Sequence, residues 1–441
     1  MASSPYYNRH ETKQSTTAHG TSIAAHSMVQ WTQALLKILT LPSAVTQRRW
    51  RSSIADDAIV PDDDKVDLSS SQSIDEVDLE HAARLERVKH VCKKHFFEPL
   101  WYKIVFTIDP NSSAAFCAIP KVGSSTLKRM LYWLHTNQSE SSPFALNGNA
   151  IHYVTGMKQY FQNAQSVSPY KTFMFVRDPY KRLFSAFIDR LFIPSYKEGS
   201  FSKQIINRVR SEPDVNARAC GFDVTFTDAV LFVILTYNTP KISEWHFSPQ
   251  RLFCHQCEIN YDVIGKMETF SRDVRYILRK FGMKDVSVDS KEMSSDSDIN
   301  IMMDISNASY TIRHTMCMAT IDVFRRLWKT FQIRGFLGRH NPFPLRQGDA
   351  LSLEGFQTLL RSTYKSDESW RGSGRHQQRE LALIEAYRTV PMVYLERLKE
   401  IYRPDCELFG YDPEPPEVFN RDVKFENFGF FSHFKQHTYR F

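Results

Sequence analysis

The sequence predicts an α/β fold with a central parallel sheet flanked by helices. Two strand–turn–helix units carry that expectation. Phe116-Cys117-Ala118-Ile119 and Thr172-Phe173-Met174-Phe175-Val176 are short, unbroken apolar runs, the pattern of strands buried on both faces of a parallel sheet. Each is followed, after a short polar turn, by apolar residues at helical spacing. These are Leu127, Met130, Leu131 and Leu134 after the first strand, and Leu183, Phe184, Phe187, Ile188 and Leu191 after the second. Composition agrees: 441 residues, 42% hydrophobic and 24% charged, are globular proportions with room for one large domain or two ordinary ones.

Charge narrows the ligand class. The formal net charge is +7, and residues 1–76 hold more Asp and Glu than Lys and Arg. The remainder is therefore basic and suited to an anionic ligand. Helix-turn-helix, zinc-finger and RNP patterns are missing, so no nucleic-acid partner is expected.

In chain order, residues 1–77 read as a disordered N-terminal region, rich in Ser, Thr, Asp and Gln. The apolar patch from Met28 to Val45 is broken by Gln30, Gln33, Lys37 and Pro42. It is too short and too polar for a membrane span of about 20 residues, and too far from the start for a signal peptide. From Asp78 to Phe96 a helix is expected, with Leu79, Ala82, Leu85, Val88 and Cys92 on one face.

Pro120 then ends the first strand, since proline has no N–H for a sheet ladder. Lys121-Val122-Gly123-Ser124-Ser125-Thr126 follows. Strand, loop and helix present backbone N–H groups and a helix N-terminus to a phosphate. Gly123 allows close approach, the three hydroxyls can donate, and Lys121 adds a positive charge. The loop is not a Walker A sequence. After the second strand, Arg177-Asp178-Pro179 turns the chain, with Pro179 suited to the first helical position. Arg177 stands at the carboxyl end of its strand, where ligands bind in open α/β sheets. Arg182 and Ser185 lie on the helix that follows. Arg177 paired locally with Asp178 is the alternative reading.

Together these stretches resemble the two nucleotide-binding motifs of Golgi carbohydrate sulfotransferases, the group that includes the chondroitin and dermatan 4-O-sulfotransferases. The resemblance implies a phosphate-loop-like sulfotransferase fold. It also implies that Pro120, Lys121, Val122, Gly123, Ser124, Ser125 and Thr126 bind the 5′-phosphosulfate of 3′-phosphoadenosine 5′-phosphosulfate (PAPS). The 3′-phosphate then falls to Arg177, Asp178, Pro179, Tyr180, Lys181, Arg182, Leu183, Phe184 and Ser185, chiefly to Arg177 and Ser185. A third shared element is carried by His246, Phe247, Pro249, Cys254, Cys257, Tyr261, Asp262, Ile264, Gly265, Lys266 and Glu268. A fourth is carried by Tyr402, Asp405, Leu408, Phe409, Gly410 and Tyr411. The helix of residues 78–96 resembles the family's lead-in helix.

Between these elements, Thr225–Tyr237 is apolar nearly all round and reads as a buried helix. Residues 285–376 diverge, and LRQGDALSLEGF and YKSDESWRGSGRHQQ read as polar, turn-rich loops. The expected organisation is the N-terminal region 1–77, a sulfotransferase domain over 78–415 with 285–376 as an insertion-like part, and a C-terminal tail over 416–441.

Seven cysteines leave at least one unpaired within a single chain. Cys254-x-x-Cys257 reads as a structural disulfide site in an oxidising lumen, the two joined to each other or to another cysteine. Cys117, inside the strand, reads as a small apolar residue. Asn111, Asn137 and Asn307 lie in N-glycosylation sequons.

The resemblance implies PAPS as donor, no metal, and a glycan or proteoglycan acceptor, with chondroitin or a GalNAc-terminated chain favoured. It implies a Golgi location and membrane association. Lys121 would stand at the bridging oxygen. His152 and His246 are the candidate bases, because His titrates near neutral pH, and Glu268 is a further one. Arg190, Lys197, Lys203 and Arg208 are candidate acceptor contacts. Two other classes stay open. A phosphate-loop nucleotide kinase needs a Walker A loop, which is not seen. A catalytically inactive glycan-binding relative is disfavoured by Lys121, Arg177 and Ser185, although Leu127 stands where the family usually has Trp.

Overall fold

The structure, a computed structural model, describes residues 74–440 except 96, 98–103, 137–142, 144–150, 152–156, 196–198, 238–243, 285–290, 312–316, 423–424 and 433–436. The Met28–Val45 patch, Asn137, His152 and Lys197 lie outside the described residues.

A five-stranded sheet has the order β3-β1-β2-β4-β5, where β1 is Ile104–Asp109, β2 Ala114–Cys117, β3 Lys158–Phe161, β4 Lys171–Val176 and β5 Val263–Lys266. β2, β4 and β5 run parallel, as expected. β1 is antiparallel to β2 and β3, which makes the sheet mixed. The physical reason is a hairpin. Asp109 accepts from the N–H groups of Asn111 and Ser112 and Ser113 takes a φ of 58°, so β1 folds back directly on β2.

The helices are α1 (Ile74–Lys94), α2 (Ser124–His135), α3 (Pro179–Phe187), α4 (Gly199–Val209), α5 (Val215–Cys220), α6 (Phe226–Thr236), α7 (Phe270–Phe281), α8 (Lys291–Tyr310), α9 (Thr320–Ile333), α10 (Leu353–Ser366), α11 (Glu368–Arg388), α12 (Met392–Phe409) and α13 (Pro416–Phe419). α1, α2 and α7 pack with the sheet around Phe116, Phe173, Leu127 and Val274. A second core joins α3, α4, α6, α11 and α12, and residues Phe430 and Phe431 of the tail are buried in it. A third holds α8, α9 and α10, with the rings of Phe324 and Phe356 stacked 4.3 Å apart. Among the described residues no helix is long and apolar enough to cross a membrane.

The stretch YKSDESWRGSGRHQQ is helical, at the end of α10 and through α11, not a loop. Its first half carries no apolar stripe for a sequence to show. It is held instead by polar contacts: Arg375 Nη2 donates to Asp298 Oδ1 at 3.0 Å and Gln378 Nε2 to the Leu337 carbonyl at 2.9 Å.

Cys254 and Cys257 are both in disulfides, as expected, each with another cysteine: Cys92 pairs with Cys257, Cys117 with Cys254, and Cys220 with Cys317. Cys406 is free and buried. Cys117 is thus half of a disulfide as well as a strand residue. The loop before β5 lies across both the end of α1 and the end of β2, so its two cysteines find separate partners.

α1 is fastened by a buried network. Arg84 donates to Asp273 at 2.6 Å and to the Ile264 carbonyl at 3.0 Å, and His81 stacks on Tyr276 at 4.0 Å. Burial works against ionisation of Asp273, but His81 and Arg84 outweigh it and hold the carboxyl down at about 2. Its stabilising contribution is therefore present above pH 3.8 and is lost as pH falls toward about 2. Arg84→Ala leaves that carboxylate buried without its cation and is expected to cost about 3–5 kcal/mol. A urea melt checks this, and an unchanged midpoint would show that the network contributes nothing.

Candidate active site

The parallel register sets Phe116 against Phe173 and Cys117 against Met174. The chain segments leaving β2 and β4 therefore emerge side by side, with Lys121 and Arg177 at the same carboxyl edge. Gly123 precedes α2 at a φ of 75°. A β-carbon there would lie 2.9 Å from Phe270 and 3.0 Å from Met267 Sδ, so both the turn and its packing require glycine. The first turn of α2 has no acidic side chain and no side-chain cap. Its N–H groups and positive dipole end suit an anion. Ser124, Ser125 and Thr126 stand half-buried on this turn.

Lys121 also has positive φ, 69°, which costs a non-glycine residue about 1–2 kcal/mol. Its Nζ lies 2.9 Å from Asp189 Oδ2, on the π-helical turn Ile188–Phe192 that continues α3. Burial pushes the Lys121 ammonium down, and Arg334 and Arg177 add to this against the pull of Asp189. Asp189 is held well below the usual carboxylate range, because Lys121 and Arg334 outweigh its burial.

The second motif builds the first. Arg177 Nη1 donates to the Lys121 carbonyl at 3.3 Å. Arg182 is buried, donating Nε to the Pro120 carbonyl at 2.9 Å and Nη1 to the Ser248 carbonyl at 2.7 Å. It is a tie between loops. Tyr180 is buried with its hydroxyl on the Pro413 carbonyl at 2.7 Å, and Leu183 and Phe184 belong to the second core. Asp178 caps α3 by accepting the Lys181 N–H at 2.8 Å, with Pro179 in the first turn. Burial pushes its carboxyl up to about 6. Lys181 pairs with Glu380 at 3.1 Å. Of this motif, Arg177 and the half-buried Ser185 remain for a ligand.

His246 is the described candidate base that the fold brings to Lys121. Its Nδ1 stands 2.6 Å from Glu244 Oε1, an arrangement that puts the proton on Nδ1 and leaves Nε2 as acceptor. Burial lowers its pKa, Glu244 opposes this, and Arg190 and Lys121 lower it further. Glu268 has both oxygens engaged, accepting Asp178 N–H at 3.0 Å and Tyr411 O–H at 2.9 Å. Arg190 faces Glu244 at 3.9 Å, while Lys203 is half-buried and Arg208 exposed on α4. A cavity lined by Leu85, Val88, Cys92, Cys257 and Tyr261 contains none of these residues.

Comparison with known proteins agrees with this geometry. Residues 105–331 match the model of the sulfotransferase family. The chain belongs to that family. Human carbohydrate sulfotransferase 9 is 32% identical over 181 residues, 40% of this chain and 40% of that protein. Rat carbohydrate sulfotransferase 11 is 31% identical over 187 residues, 40% of this chain and 52% of that protein. The chain thus matches about half the length, or less, of these curated relatives. No solved structure matches it.

As a sulfotransferase family member, the chain keeps both motifs within the matched segment. Several neighbours of the motifs escaped sequence reading. Gln250 clamps Arg177, accepting its N–H at 3.2 Å and donating to its carbonyl at 2.7 Å. Asp189 stands one turn beyond Ser185, a polar spacing on a largely apolar segment that could have flagged it. Arg334, in the divergent part, and Arg379, just after it, lie past the match and offered no motif.

Proposed function

We propose that the chain is a PAPS-dependent carbohydrate O-sulfotransferase. The observation that carries this is the joining of the two motifs: Arg177 donates to the carbonyl of Lys121, with the Glu244–His246 pair near enough to feel the Lys121 charge. The uncapped turn at Gly123, with Ser124, Ser125 and Thr126, takes the 5′-phosphosulfate. Arg177 and Ser185 take the 3′-phosphate. The acceptor hydroxyl oxygen forms a bond to sulfur as the sulfur–oxygen bond to the 5′-phosphate breaks. His246 Nε2 takes the hydroxyl proton, and Lys121 neutralises the departing phosphate oxygen. Asp189 holds Lys121 beside the reaction path. The acceptor is a glycan, with chondroitin or a GalNAc-terminated chain favoured. Three disulfides suit an oxidising compartment, in keeping with the Golgi lumen. The exposed Asn111 and Asn307 are open to glycosylation there.

Calorimetry with the product nucleotide, 3′-phosphoadenosine 5′-phosphate (PAP), tests the donor site. Arg177→Ala removes one charge-assisted contact worth about 1.5–3 kcal/mol, or about ten- to a hundredfold in affinity. Unchanged PAP affinity would remove the 3′-phosphate assignment. Release of PAP from PAPS that chondroitin and GalNAc-terminated glycans fail to stimulate would favour the inactive, glycan-binding reading.

A further inference from the structure

Beyond the shared motifs, α11 crosses the end of α9 at close range. Gly335 has a φ of 70°, and a β-carbon on it would lie 2.8 Å from Arg375 Cγ and 3.2 Å from Arg379 Cγ. Only glycine permits the crossing, and the crossing gathers Arg334, Arg375 and Arg379. Arg375 is neutralised by Asp298. Arg334 and Arg379 have no ion-pair partner among the described residues. Glu380, next to Arg379, turns to Lys181 at 3.1 Å, which fixes this part of α11 beside the second motif.

The electrostatics fit that placement. Arg379 is exposed to solvent, yet its surroundings and the charges of Arg177, Arg375 and Arg334 push its guanidinium down to about 10. Arg334 is close enough to influence both Lys121 and Asp189. Arg177, Arg375 and Arg334 all repel the Arg379 guanidinium, Asp298 and Glu380 offset only part of this, and an anion held between Arg334 and Arg379 relieves the remaining repulsion. Both residues lie beyond residue 331, where the family match ends.

We propose that Arg334 and Arg379 form an anion seat beside the donor site that takes an acidic group of the acceptor glycan, a uronate carboxylate or an existing sulfate. The proposal rests on the donor reading above. The acceptor is favoured over the donor as source of the anion because Arg334 lies toward Lys121 and Asp189. His246 also acts on Asp189, so this is the side on which the sulfuryl group leaves.

The test is calorimetry on the full chain, first with PAP, then with unsulfated chondroitin added to the PAP complex. Arg334→Ala and Arg379→Ala are each expected to weaken chondroitin binding about tenfold or more, with PAP affinity changed less than about twofold. Carboxyl-reduced chondroitin should bind the unaltered protein as weakly as chondroitin binds the variants. Arg361→Ala, which removes an exposed arginine of α10, controls for loss of charge alone and should bind normally. A fall in PAP affinity in either seat variant would assign that arginine to the donor and overturn the proposal, as would unchanged chondroitin binding. Unaltered protein that binds PAP but not chondroitin sinks this proposal alone, whereas protein that fails to bind PAP sinks the donor reading.

Discussion

Lys121→Ala is expected to lower sulfuryl transfer by about 10²–10³, with a much smaller loss of PAP affinity. Lys121 stands on a positive-φ turn at the carboxyl edge of the sheet, and in the proposed mechanism its ammonium meets the charge developing on the departing phosphate oxygen. Removing one such preorganised group typically has this effect on kcat. The ground-state nucleotide still keeps the helix N-terminus and Arg177. One complication is built into the site: Asp189, 2.9 Å from Nζ, loses its cation in the variant. The double variant Lys121→Ala/Asp189→Asn removes that unpaired charge. It should be as inactive as the single variant while melting like the unaltered protein. Single-turnover transfer from labelled PAPS, beside PAP calorimetry, separates the effects. Full activity in a folded Lys121→Ala protein would end the assignment of Lys121 to the chemistry.

His246→Ala should lower kcat by about 10²–10⁴, the range for loss of a general base, without changing PAP affinity. The pH profile gives the second readout. Burial sets the imidazole pKa below the ordinary histidine value of 6.5, so the ring is neutral at pH 7 and able to accept a proton. Activity should therefore fall as pH drops through that lowered pKa, and this acid limb should vanish in His246→Ala. Glu244 raises the pKa against burial, so Glu244→Gln should move the limb to still lower pH. A His246→Ala protein that keeps both its rate and its acid limb would transfer the role of base to His152.

Much of the site's framework was legible because it rests on local signals. The apolar runs of β2 and β4, the proline after Asp178 and the helical spacing beyond each turn place Lys121 and Arg177 at one edge without tertiary information. The core cysteines were less legible. Cys254 and Cys257 are close in sequence, but the loop that carries them touches α1 and β2, and partner choice follows that path. The second motif looked like a continuous ligand-binding stretch, yet helix geometry turns Tyr180, Leu183 and Phe184 into the core. Arg182, though charged, meets two carbonyls there.

What the sequence determined by itself is the parallel half of the sheet, the two strand–turn–helix motifs at its carboxyl edge and the family they belong to, since backbone turns and strand–helix periodicity are encoded by neighbours in the chain. The tertiary structure alone decided which charges meet. Lys121 with Asp189, Glu244 with Arg190, and Arg334 with Arg379 are brought together by a π-helical turn, a loop and a helix crossing at Gly335. Coulomb interactions depend on distance in space, and separation along the chain does not report it.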